Sequence, residues 1–235
     1  MPTLFDSIEV EQEDIKVVLK SLSTHCENCR LGLRHAQNRG LIYRGNPLAE
    51  IGIAHEAPRD SETERGVAMI GAHGRAFDRW MHLLNLDPRS DVFITTLVQC
   101  QPPREEKNGQ MTQRVPEEAE VSACFGPRCL RVFRAMPNLK VVMTLGWPAA
   151  KAFLGEKPIA KTHDTQWFET SLLPGIPVFC MVDPVWIVRD PSPEKSTAVE
   201  RSLTLFRREY MKERWVVGMA ADARADREEQ GLGLL

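Results

Sequence analysis

Residues 50–71 read EIGIAHEAPRDSETERGVAMIG. The first seven, Glu50–Glu56, are a short apolar run with β-branched side chains. The run is cut by Ala57-Pro58 and a charged stretch, so it reads as a strand ending in a loop. Three more runs share that form: Val92–Cys100 (VFITTLVQC), Lys140–Gly146 (KVVMTLG) and Pro177–Val182 (PVFCMV).

Helical patterns lie between them. Gly74–Leu86 places Phe77, Trp80, Met81 and Leu84 three and four residues apart. Pro116–Met136 opens on Pro-Glu-Glu, which suits a helix N-terminus. Pro148–Leu154 follows Gly146, and Pro193–Glu213 carries Leu203, Phe206 and Tyr210 on one face. Strands alternating with helices predict an α/β fold, a three-layer α/β/α arrangement around a mostly parallel, four-stranded sheet. Ligands of such sheets sit beyond the carboxyl ends of the strands. The informative loops are therefore those after Glu56, Cys100, Gly146 and Asp183.

The chain has 235 residues, 43% hydrophobic and 26% charged, ordinary for a soluble globular protein. No apolar run reaches the roughly 20 residues that span a bilayer. The start, MPTLFDSIEVEQEDIK, is acidic and unlike a signal peptide, so a cytoplasmic protein is expected. The net charge of −2 gives no global support to nucleic-acid binding, although one local face can still be basic. The expected division is an N-terminal extension (1–19), the folded domain (20–213) and a charged tail (214–235).

Of the six cysteines, Cys26 and Cys29 form a C-x-x-C pair whose sulfurs can face one metal or cluster. Cys100, Cys124 and Cys129 are candidates for the remaining ligands, while Cys180 sits inside an apolar strand and reads as core. Four thiolates suit a 4Fe–4S cluster or zinc, and the thiol chemistry leaves that choice open.

In order, these motifs resemble family 4 uracil-DNA glycosylases, the iron–sulfur branch. IGIAHEAPRDSETERGVAMIG resembles that family's G-E-A-P-G and G-R-P-F-V-G. FITTLVQCQPP resembles F-I-T-N-V-V-K-C-R-P-P. VMTLGWPAAKAFLG resembles A-L-G-A-T-A-A-K-x-L-L-G, and MVDPVWIVRDP resembles T-Y-H-P-A-x-L-L-R-N-P. The likeness covers about residues 20–210. It implies a structural 4Fe–4S cluster on Cys26, Cys29, Cys100 and Cys124, the last lying in EVSAC as in the family's E-V-E-A-C. Because the loop before Cys124 is long, Cys129 stands as a substitute.

By resemblance, the carboxylate of the first catalytic motif is Glu56, which is retained. Other pocket positions depart. The stacking Phe corresponds to Met69, which offers no ring face. The base-pairing Asn corresponds to Thr96, which lacks the two-point amide contact. The second-motif His corresponds to Asp183, which accepts hydrogen bonds when ionised and repels a developing anion. The flanking glycines are His55 and Arg59. A related branch forms a covalent link to DNA through a loop His, but the corresponding loop here has Gln113 near that place and no His, so that activity is not expected. Of the other histidines, His25, His35, His73, His82 and His163, each reads as surface or core.

The favoured expectation is an iron–sulfur DNA-binding protein, weak or inactive toward uracil. The alternatives are an active glycosylase with altered base specificity and a non-catalytic scaffold in a replication or repair assembly. Single-stranded or distorted DNA is the expected partner, because base extrusion costs least there. Arg189, Arg104, Lys107 and Arg114 are the candidate phosphate contacts.

Overall fold

The computed structural model describes residues 12–24, 26–34, 40–107, 109–155 and 166–210. His25, His35, His163, residues 1–11 and the tail 211–235 lie outside the described residues.

All four expected strands form. They are β2 (Ile51–His55), β3 (Val92–Thr96), β6 (Val141–Leu145) and β8 (Val178–Met181), and they pair in parallel in the order β3-β2-β6-β8. The sheet has six strands rather than four. β1 (Tyr43–Gly45) and β7 (Gln166–Phe168) add to its two edges antiparallel. The loop after Cys100 also holds an exposed hairpin, β4 (Arg104–Lys107) with β5 (Gln110–Gln113).

Alternate residues of the parallel strands feed two cores. On one face Ala54, Phe93, Val142 and Val178 pack with α1 (Ile15–Leu22), α6 (Arg131–Ala135) and α7 (Trp147–Leu154). α1 begins inside the stretch expected as an extension, and its Ile15, Val18 and Leu22 are buried in this core. On the other face, Ile51, Ile53, Ile94 and Met143 pack with α4 (Gly71–Leu83) and α9 (Pro193–Tyr210). The result is the predicted three-layer arrangement. Phe206 of α9 is wholly buried against Phe179 and Trp167. Truncation of such a ring costs about 3–5 kcal/mol.

The helix expected over 116–136 runs as α5 (Glu118–Cys124), a π-helical turn (Phe125–Leu130) and α6. Pro127 in that turn has no N–H to give to the ladder, a common origin of a widened helix. Shorter helices α2 (Arg30–Arg34), α3 (Asp60–Arg65) and α8 (Pro184–Arg189) follow the cysteine pair, β2 and β8 respectively. Among the described residues, no helix is long and apolar enough to cross a membrane.

Candidate functional site

Strand register builds the rim of the sheet. Thr96, His55 and Leu145 are partners across β3, β2 and β6, and Leu145 in turn pairs with Met181 of β8. The residues just beyond these ends are Glu56, Gly146-Trp147 and Val182-Asp183, so the first- and second-motif carboxylates lie on one carboxyl edge. Gly146 has φ 84, and a Cβ there would stand 3.2 Å from Cβ of Asp183. That backbone conformation and close approach require glycine.

Glu56 is half-buried. Burial and the Asp183 carboxylate push its carboxyl up to about 7, against the opposing pull of Arg59 and Arg189. Asp183 is the N-cap of α8, and its Oδ1 accepts the Val185 N–H at 2.8 Å. This is the common structural role of Asp before a helix whose first residue is Pro.

Behind the rim lies a group that sequence reading missed. Glu62 of α3 is wholly buried, and its carboxylate accepts the backbone N–H groups of Arg59, at 2.8 Å, and of Met69. Nε2 of His55 and of His73 stand 3.6 and 3.4 Å from its two oxygens. Burial works to raise the carboxyl's pKa, but His55, His73 and the Arg59 N–H prevail and hold it below the usual carboxylate range. Burial pulls His55 down, partly opposed by Glu62 and Asp183, so its imidazole is neutral at pH 7.

Met69 has φ 53, the left-handed region that a side chain rarely adopts. Glu62 holds its N–H, and Arg44 donates to its carbonyl at 3.0 Å. His55, Met69 and Thr96, at the expected base-pocket positions, are 3%, 0% and 0% exposed.

The cysteines separate into two environments. Cys100 and Cys124 share a small buried cluster with Leu31, Ala57 and Val98, and Cys29 packs against it. Burial, then the neighbouring Cys124, Cys29 and Cys26 thiols, push the Cys100 thiol up to about 12. Burial pushes Cys124 up to about 11, against a Gln99 backbone hydrogen bond and Arg128. Gly32 of α2 lies so close to this pair's loop that a Cβ would meet the Cys26 carbonyl oxygen at 2.2 Å. Cys129 instead joins the main core beside Phe125 and Phe133. Cys124 and Cys129, five residues apart across the π-helical turn, thus lie in different packing clusters. Cys180 is buried in β8, and none of the six cysteines is in a disulfide. Among the described residues, no three His, Cys, Asp or Glu side chains gather as they would for one ion.

The hairpin folds back on the first motif. Gln113 donates to the Pro58 carbonyl at 3.1 Å, and both Gln101 and Arg104 bond Asp60. An open cleft of about 390 Å³ lies between α2 and the hairpin base, lined by Leu31, Arg34, Asp60 and Gln101 to Arg104. The candidate cations differ in freedom. Arg114 is partly buried and makes two hydrogen bonds to Glu120, at 2.8 and 2.6 Å, with Glu117 and Glu105 nearby. It works as an internal clamp and does not point outward. Arg189 and Lys107 are exposed, as is Arg104 despite its ion pair with Asp60.

A family profile described as the uracil DNA glycosylase superfamily matches residues 42–207. A type-4 uracil-DNA glycosylase of Sulfurisphaera tokodaii is 31% identical over 147 residues, 62% of this chain and 57% of that protein. The protein of the same name from Saccharolobus solfataricus is 31% identical over 121 residues, 52% and 50% of the two chains. That from Archaeoglobus fulgidus is 36% identical over 107 residues, 46% and 48%. The chain thus spans about half the length of the curated relatives it matches.

Proposed function

Because the chain belongs to the uracil DNA glycosylase superfamily, we propose that it is an iron–sulfur DNA-binding member, weak or inactive toward uracil. The observation that carries this reading is the burial of the residues at the family's pocket positions. His55 replaces a glycine of the family motif and, with Met69 and Thr96, is covered by neighbouring side chains. A base-releasing site needs room for an extruded base and a donor to the departing anion. Asp183 serves as an acceptor to the α8 backbone, which leaves that donor role without an imidazole.

Cys26, Cys29, Cys100 and Cys124 fit a 4Fe–4S cluster by the chemistry of their donor set. Two sulfurs come from a C-x-x-C turn. Cys100 and Cys124 sit in an apolar cluster, where burial and the neighbouring thiols raise their proton affinity. Coordination would relieve that crowding, since the ligands bind as thiolates. When bound, the cluster supplies a cross-link. The residues that hold it tie the N-terminal segment to the end of β3 and to α5.

A second reading, an active glycosylase with altered base specificity, is favoured by the Glu56–Asp183 pair. A carboxyl poised near 7 beside a second acid is suited to proton transfer. Assays on strands carrying uracil and other damaged or modified bases separate the two readings. Loss of an observed release on Glu56→Gln would support the second.

A further inference from the structure

Trp147 is 46% exposed, the largest aromatic surface on the described residues. Isolated surface hydrophobics are common and need no explanation. The place of this one is specific. Trp147 is two residues beyond Leu145, and Asp183 is two beyond Met181, its register partner. Leu145 also pairs with His55, which precedes Glu56. The indole therefore stands on the same carboxyl rim, between the ends of the strands that carry Glu56 and Asp183.

Its anchor is rigid. The Gly146 N–H donates to the Met181 carbonyl of β8 at 2.8 Å, and Pro148 fixes the first turn of α7. Arg59 and Arg189 both act electrostatically on Glu56, so the rim that carries Trp147 also has cations near that carboxyl. Meanwhile Met69, at the family's stacking position, is sealed inside.

We propose that Trp147 is a stacking platform for an unpaired nucleobase of single-stranded DNA lying across the rim. The inference rests on the DNA-binding reading above and names its partner. Every base has a π face, so such a platform tolerates sequence, and the cations of the rim suit the backbone. The indole occupies the outer surface, apart from the buried Met69.

The test uses a short, uracil-free, mixed-sequence single strand and the whole chain. Binding is followed by anisotropy of the labelled strand and by intrinsic tryptophan fluorescence. Trp147→Ala should weaken binding about 5- to 100-fold, the range for loss of one stacked base. The salt slope should stay unchanged, since no phosphate contact is lost. Trp147→Phe should keep most of the affinity while losing the quenching that accompanies binding. Arg189→Ala should lower the salt slope. If Trp147→Ala binds as tightly as wild type while Arg189→Ala weakens binding, the platform is wrong and the DNA reading stands. Undiminished quenching in Trp147→Phe also overturns the platform. A wild-type protein that binds no strand at low salt overturns both.

Discussion

Nε2 of His55 lies 3.6 Å from Oε1 of the wholly buried Glu62. One carboxylate thereby joins the end of β2, the loop at Arg59 and the left-handed turn at Met69. Glu62→Gln keeps the shape but turns an N–H toward groups that themselves donate. The expected cost is about 1–3 kcal/mol, because one of the two buried backbone donors, Arg59 or Met69, loses its acceptor. Urea unfolding checks it: the midpoint should fall with little change in slope. A midpoint equal to wild type would remove Glu62 from its place as the organising group.

Glu56 makes stability depend on pH in an unusual direction. Its carboxyl holds a proton up to about 7 in the native chain, against an ordinary value of 4.5. Between these values the folded state binds more protons, so rising pH favours unfolding. The contribution is intact below about 4.5 and is lost as pH climbs through about 7. Its size is roughly 2–3 kcal/mol at most, after allowance for partial exposure. Glu56→Gln should therefore gain stability relative to wild type as pH rises from 4.5 to about 8. Parallel pH profiles for the two proteins would contradict the burial and Asp183 repulsion assigned to Glu56.

The cysteine environments make separable predictions. Purified protein should be brown and carry about four irons per chain. Cys26→Ser, Cys100→Ser and Cys124→Ser should each lose iron. Cys129→Ser should keep it and lose only packing, since Cys129 lies in the main core. Stoichiometric zinc in a colourless protein, or iron loss on Cys129→Ser alone, would contradict this ligand set.

The four parallel strands were legible because each is a compact β-branched run bounded by turn residues. The edges were not. β1 and β7 are three residues each, too short to show a period. β4 reads REEK and is exposed throughout, so no alternation marks it. The helical run over 116–136 was visible, but the π-helical turn at Gly126-Pro127 that separates Cys124 from Cys129 was not. Glu62 resembled any other charged residue of an acidic stretch. The signal that could have found it is its position three residues after Arg59, where a Glu reaches back to the N-terminal backbone of a helix. The burial of His55 was beyond sequence reading, because it depends on His55 and His73 converging on that same Glu from different elements.

Restoration of uracil chemistry needs space as well as donors. Met69→Phe, Thr96→Asn and Asp183→His together return the three missing side chains, while His55 still stands where the family motif has glycine. Adding His55→Gly should raise uracil excision well above the triple variant, measured on single strands. Equal rates in the triple and quadruple variants would show that His55 does not obstruct the base.

The most direct measurement is the single-turnover rate of uracil excision by the wild-type protein on a uracil-containing single strand, beside a type-4 relative. Loss of one donor to a developing anion costs on the order of 100- to 1000-fold. The His in place of glycine at position 55 and the absent two-point base contact add to that cost. The predicted result is a rate at least that far below the relative's, or none. A rate equal to the relative's would contradict both the inactive reading and the assignment of the pocket residues.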